Sequence, residues 1–181
     1  MRGLVVLLFL LWPVRAVAQD FSALKQPGAV ALMRHALAPG TGDPAGFTLD
    51  DCATQRNLDA AGRAQARRIG ALMRGAGVTL DAVWTSQWCR TRDTAELTGM
   101  GTPLDMPMLN SFFAGQGDEA AQTRATLEAL RALPEDARVL LVTHQVNITA
   151  LTGVFPGSGE IVVARRSGDG LRVVDRIRIA P

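Results

Sequence analysis

Gly28-Ala29-Val30-Ala31-Leu32-Met33-Arg34-His35-Ala36-Leu37-Ala38-Pro39-Gly40 is the stretch that decides the fold of this chain. An apolar run of strand length drives straight into an arginine and a histidine, and then into a Pro/Gly loop. A run without polar alternation is the pattern of a strand buried on both faces, as in a parallel sheet. Such a strand delivers Arg34 and His35 to its carboxyl end, where open α/β sheets bind ligands. The sequence holds one other histidine, and it ends a second run of the same kind, Val139-Leu140-Leu141-Val142-Thr143-His144. Two strands are thus expected to bring both imidazoles to one edge of one sheet.

Working outward, Ala38 to Gly46 is dense in glycine and proline and has no periodicity, which predicts a loop above the strand end that either faces substrate or merely connects. Asp59 is a good N-cap for a helix running through Ala64, Ile69, Leu72 and Met73 to Gly75-Ala76-Gly77, with arginines on its solvated face. Ala82-Val83-Trp84 reads as a second buried strand, followed by a helix over 88–97 that Ser86 is placed to cap. Residues 103–109 predict an irregular edge strand broken by Pro107. A loop with Phe112-Phe113, read as core or pocket wall, leads to a helix over 120–133, ended by Pro134. After the His144 strand come a short helix over 146–151 and two strands, about 160–164 and 171–179, joined in a hairpin by Ser167-Gly168-Asp169-Gly170. Residues 19–28 read as a polar lead-in. This order of elements predicts a three-layer α/β/α sandwich with a mainly parallel central sheet.

The first eighteen residues are set apart. Arg2, the apolar run Leu4 to Trp12 and the small residues of Ala16-Val17-Ala18 form the pattern of a cleavable signal peptide, with an apolar core too short to span a bilayer comfortably. Residues 19–181 are then one domain, periplasmic or secreted, with no stable membrane span. Without Arg2 and Arg15, seventeen arginine and lysine residues face seventeen acidic ones. That neutral balance points away from nucleic acid as a partner. In an oxidising compartment the isolated pair Cys52 and Cys89 reads as a disulfide, free buried thiols being the alternative. No spacing suggests a zinc site, and no GxGxxG or Walker-type loop is present.

Brought together, Arg34, Arg90, His35 and His144 make a phosphate box with a nucleophile inside it. Two guanidinium forks match phosphate oxygens bidentately, and a protonated imidazole adds a donor. A neutral imidazole attacks phosphorus without the repulsion an anionic nucleophile meets, while cations neutralise the equatorial oxygens.

These residues carry a family resemblance. Met33-Arg34-His35-Ala36 resembles the R-H-G motif of the histidine phosphatase superfamily, also called phosphoglycerate-mutase-like. The segment from Ser86 to Ala95, with Arg90, Thr94 and Ala95, is similar to its S-x-x-x-R-(A/T)-x-x-T-A segment. Leu141-Val142-Thr143-His144 resembles the strand of its second histidine, and Leu58 to Ala66, with Gly62 and Gln65, its L-(T/S)-x-x-G-x-x-Q-A helix. The resemblance implies His35 as the nucleophile that becomes phosphorylated, with Arg34, Arg90 and His144 holding the phosphoryl group. It also implies hydrolysis with no metal or other cofactor. The chain departs from the pattern at Ala36, where glycine is usual; at Ser111, where many members carry an acid; and at Gln145, where glycine usually follows the second histidine. Asp118 and Glu119 are the candidate acids nearby, although helix N-terminal acids are their ordinary reading.

The expected function is therefore an exported phosphatase acting on a small-molecule or envelope-derived phosphomonoester. The alternatives are a phosphate-binding protein of the same fold with weak or no turnover, a phosphomutase, and a metallohydrolase using both histidines. Substrate identity and oligomeric state are not set by the sequence.

Overall fold

The apolar stretch before Arg34 forms β1 (Val30–Arg34) in a computed structural model that describes residues 19–181. Residues 1–18, and with them the expected signal peptide, lie outside the described residues. Five further strands join β1 in one sheet: β2 (Ala82–Thr85), β3 (Pro103–Asp105), β4 (Val139–Thr143), β5 (Ile161–Ser167) and β6 (Gly170–Ile177). Their order is β3-β2-β4-β1-β5-β6. β1, β2, β3 and β4 are mutually parallel, and β5 and β6 extend the sheet as an antiparallel hairpin.

Side-chain alternation along the buried strands divides the core in two. Ala31, Met33, Leu140 and Val142 face α1 (Ala60–Gly75) and α2 (Cys89–Thr98), meeting Ile69, Met73 and Ala95. Val30, Leu32, Val139 and Leu141 face α3 (Glu119–Ala132) and α4 (Gln145–Thr152), meeting Leu130, Ile148 and Leu151. The architecture is the expected three-layer α/β/α sandwich. Among the described residues no helix is long and apolar enough to cross a membrane.

Several local expectations are corrected. The lead-in is not merely polar, since Phe21 and Leu24 are buried in the core on a 3-10 turn (Ser22–Lys25). The 103–109 strand is cut to three residues, because Pro107 starts a 3-10 turn (Pro107–Leu109) that buries Leu109. Trp88, not Ser86, is the N-cap residue of α2, and its side chain makes no capping bond. Asp59 does cap α1, its carboxylate accepting the Gly62 N–H at 2.7 Å.

The motif on α1 has a packing cause. A β-carbon on Gly62 would lie 1.9 Å from the Leu37 carbonyl oxygen, in the loop that follows His35. Gln65, fully buried one turn on, accepts the Leu37 N–H at 2.9 Å and donates to the carbonyls of Ser158 and Ile179. This one side chain ties the segment after β1 to the loop before β5 and to the C-terminal strand's end. Gly70 makes a similar close approach to α2, where a β-carbon would lie 1.8 Å from the Thr98 carbonyl oxygen.

Gly70→Ala should therefore destabilise the protein by about 1–3 kcal/mol despite the better helix propensity of alanine. Gly75→Ala, with nothing within 4 Å of the added methyl, should be neutral or stabilising by up to about 1 kcal/mol. Paired urea denaturation curves check both; a Gly70→Ala protein as stable as Gly75→Ala would show that the helices are not held at this distance.

Candidate active site

β1 and β4 lie side by side in register, Arg34 opposite Thr143. Each strand is followed at once by its histidine, and the His35 N–H still donates to the Thr143 carbonyl at 3.0 Å. The imidazoles consequently stand edge-on, centroids 5.7 Å apart, each almost wholly buried. Together with Arg34 and Arg90 they line a single cavity of about 330 Å³ at the carboxyl end of the parallel strands. The four residues expected to form the site are thus brought together.

His35 Nδ1 lies 2.8 Å from the Ala36 carbonyl oxygen. A carbonyl only accepts, so Nδ1 carries the proton and the neutral ring keeps its lone pair on Nε2. Burial, then the positive charge of Arg90, holds the His35 pKa well below the ordinary histidine value, against the smaller opposing effect of the Ala36 bond. The ring is neutral at pH 7 and its Nε2 has no partner among the described residues. His144 is lowered in the same way, by burial first and then by Arg90 and His35. Its Nε2 is 2.8 Å from Ser86 Oγ, and Trp88 packs edge-on against the ring, centroids 5.2 Å apart. Ser86 Oγ also accepts the Trp88 N–H at 3.2 Å. Ser86 is therefore a holder of His144 rather than a helix cap, a role that nothing local in the sequence signals.

Ala36 fits where glycine is usual because its backbone is not in the left-handed region. Its N–H donates to Thr94 Oγ1, whose hydroxyl reaches the Arg90 carbonyl, and its methyl packs with Ala38, Leu58 and Ala66. Gln145 is the first residue of α4, where helical backbone has no need of glycine.

Two residues missing from the sequence reading complete the cavity. Asp43, from the Pro/Gly loop, lies against Arg90 with its Oδ1 2.7 Å from Nη1 and its Oδ2 3.1 Å from Nη2; both side chains are 3% exposed. The Asp43 carboxylate also accepts the Arg56 N–H and the Trp88 Nε1–H, at 3.0 and 3.1 Å. Burial pulls the Asp43 pKa up, but Arg90 and the other donors outweigh it and the group is held below its ordinary value. Arg56 is the second addition: its guanidinium donates to the carbonyls of Gly42 and Ala38, and burial followed by the charge of Arg90 pushes its pKa down to about 10. Asp43 looked like one more turn former, and Arg56 sits in a segment without pattern, so only their distant partners mark them.

The cavity carries a charge imbalance. Three guanidinium groups, on Arg34, Arg56 and Arg90, line it against one carboxylate, Asp43. Arg34 donates to the Pro156 carbonyl at 3.0 Å, yet its Nε–H and that of Arg90 are buried without a partner. Unmet donors and excess positive charge in a buried site are costly unless an anion supplies acceptors and charge. The excess equals the charge of one phosphomonoester dianion. Asp118 and Glu119 do not line the cavity: Asp118 caps α3 by accepting the Ala121 N–H, and Glu119 lines a separate surface cleft. Ser111 does line it, buried, its Oγ accepting the Phe113 N–H. Among the described residues no group of three His, Cys, Asp or Glu side chains is placed to hold a metal ion.

The pairing of Cys52 with Cys89 as a disulfide ties this loop to α2, one residue before Arg90. Gln55 adds a second tie, its Oε1 accepting the Cys89 N–H at 2.9 Å. Cross-linking across 37 residues restricts the unfolded chain by about 4 kcal/mol in the chain-entropy picture.

Residues 30–111 match the histidine phosphatase superfamily (branch 1). In comparisons with solved structures a likeness of fold extends over most of the chain. The protein histidine phosphatase SixA, complexed with tungstate, is similar with a TM-score of 0.59 and 18% identity, over 82% of this chain and 96% of that one. A phosphoserine phosphatase mutant from Entamoeba histolytica, in complex with phosphoserine, gives a TM-score of 0.60 at 13% identity, over 82% and 95% of the two chains. At such identities the likeness carries the fold and not the substrate. No curated protein matches the sequence.

With two histidines in the chain, imidazole NMR reads the site directly. Both rings should be neutral at pH 6.5 and take up protons only well below it, and His35 should show the Nδ1–H tautomer. Because both folded pKa values are depressed, protonation favours the unfolded chain, so stability should fall as pH drops below about 6.5. A ring titrating at 6.5 or above would contradict this electrostatic picture.

Proposed function

We propose that this chain is an exported phosphatase of the histidine phosphatase superfamily, its single catalytic domain spanning residues 19–181. It hydrolyses a phosphomonoester through a phosphohistidine on His35 and uses no metal or other cofactor. The observation that carries this reading is the cavity in which a neutral, correctly tautomeric imidazole stands among three arginines with room for one dianion. The export part is supported by the signal-like pattern of residues 1–18 and by the Cys52–Cys89 bond, which suits an oxidising compartment. The phosphatases among its structural relatives agree with the reaction class.

His35 Nε2 attacks phosphorus, the bond from phosphorus to the ester oxygen breaks, and the leaving oxygen departs with the electron pair. The Nε–H groups of Arg34 and Arg90 and the His144 ring stabilise the charge on the transferring oxygens. Water then attacks phosphorus, the P–N bond breaks, and inorganic phosphate leaves with His35 restored. Ser86 Oγ, 2.8 Å from His144 Nε2, holds that ring in place beside His35.

Brief reaction with a ³²P-labelled phosphomonoester followed by an alkaline quench should leave label on the peptide containing His35. His35→Ala should carry none, and Arg34→Ala and Arg90→Ala should lower turnover by about 10²-fold or more. Label on His144 would exchange the histidine roles. Tight phosphate binding with no label and no turnover would favour the binding protein instead, a reading that Ser111 at the usual acid position keeps in view.

A further inference from the structure

Phe113 and Phe155 line the same cavity as the arginines, yet they are 43% and 69% exposed. The Phe113 ring lies beside the Asp43 loop: a β-carbon on Gly42 would stand 3.8 Å from its Cε1. Val146 adds a further apolar surface to the lining. Polar Thr41, Gln116 and Gln145 also line the cavity, and within this lining the two rings and Val146 offer an apolar, largely aromatic surface for whatever the phosphate is attached to. At about 330 Å³ the space suits a phosphate with one small group.

The chemistry at the leaving oxygen is equally restrictive. Expelling an alkoxide requires a proton donor in the transition state, a contribution of about 10²–10⁴-fold. The one carboxylate lining the cavity, Asp43, takes four N–H donors on its two oxygens and is held ionised, so it has no proton to give. Ser111 supplies a hydroxyl of alkoxide basicity, His144 is held neutral by its burial and then by the charge of Arg90, with its Nε2 on Ser86 Oγ, and Asp118 and Glu119 lie elsewhere. A phenol, with a pKa of about 10, leaves as the phenoxide and takes its proton from water afterwards.

From the aromatic wall and the missing acid together, we propose that the substrates are aryl phosphomonoesters, a phosphate on the hydroxyl of an aromatic ring. The ring rests against Phe113 and Phe155 while the phosphate sits on Arg34 and Arg90. The P–O bond breaks as the bond to His35 Nε2 forms, the aryloxide carries away the electron pair, and water supplies its proton. Water then hydrolyses the P–N bond, so that ester and water become phenol and inorganic phosphate. This substrate class rests on the phosphatase reading above.

The test compares phenyl, benzyl and ethyl phosphate and phosphoimidazole, each read by its half-saturating concentration and by the single-turnover rate of His35 phosphorylation. Phenyl and benzyl phosphate should half-saturate alike and more tightly than ethyl phosphate. Phosphorylation should be about 10²–10⁴-fold faster from phenyl than from benzyl phosphate, because only the benzyl alkoxide needs the missing acid. Phe113→Ala and Phe155→Ala should each weaken phenyl and benzyl phosphate about 3–10-fold more than ethyl phosphate. Benzyl phosphate reacting as fast as phenyl phosphate would overturn the proposal, as would phenylalanine variants that treat all three esters alike. Phosphoimidazole reacting faster than phenyl phosphate would overturn it in favour of a phosphoramidate substrate. In each of those cases label still reaches His35 and the phosphatase reading stands; label from none of the four compounds would remove both.

Discussion

Everything at the candidate site depends on the parallel pairing of β1 with β4, held in a register that sets Arg34 opposite Thr143. A slip of one residue would send the strand's side chains to opposite faces of the sheet and separate the two imidazoles. The register is enforced from both sides, since each strand carries one set of apolar residues into the α1 and α2 layer and the alternate set into the α3 and α4 layer. The hydrophobic core thereby acts on the chemistry: it fixes which two backbone positions emerge together at the sheet's edge.

That edge is electrostatically unfinished. Three guanidinium groups gathered around one carboxylate would repel one another in water, and they are only partly accessible here. Assembly of such a cluster draws on the rest of the fold through backbone carbonyls from distant segments, those of Ala38, Gly42, Arg56 and Pro156. Burial first, and then the same positive field, keeps both histidines neutral.

The loop from Ala38 to Asn57 carries Asp43 and Arg56 and has no regular structure beyond a 3-10 turn (Cys52–Thr54). Its shape comes from cross-ties rather than from a backbone ladder. The Cys52–Cys89 bond, the Gln55 bond to the Cys89 N–H, the packing of Phe47 on Trp88 and the Asp43–Arg90 pair all converge on the first turn of α2.

The strands and helices, both histidines and Arg34 were legible in the sequence because each is written in a local pattern, Arg90 through the resemblance of its segment to a family motif, and the pairing of Cys52 with Cys89 because the sequence holds two cysteines. Uninterrupted apolar runs mark strands buried on both faces, a 3.6-residue repeat marks α1, and a histidine at the end of each buried run marks one sheet edge. The meaning of Gly62 and Gln65, visible only as a motif, became physical once Leu37, Ser158 and Ile179 were seen around them. Phe112-Phe113 was readable as core or pocket wall, but Asp43, Arg56, the Ser86 contact to His144 and the place of Phe155 in the lining were decided by tertiary structure alone. Asp43 and Arg90 are 47 residues apart, and an irregular loop has no period from which such a contact can be read. Its conformation is the sum of distant ties, and those exist only when the chain is folded.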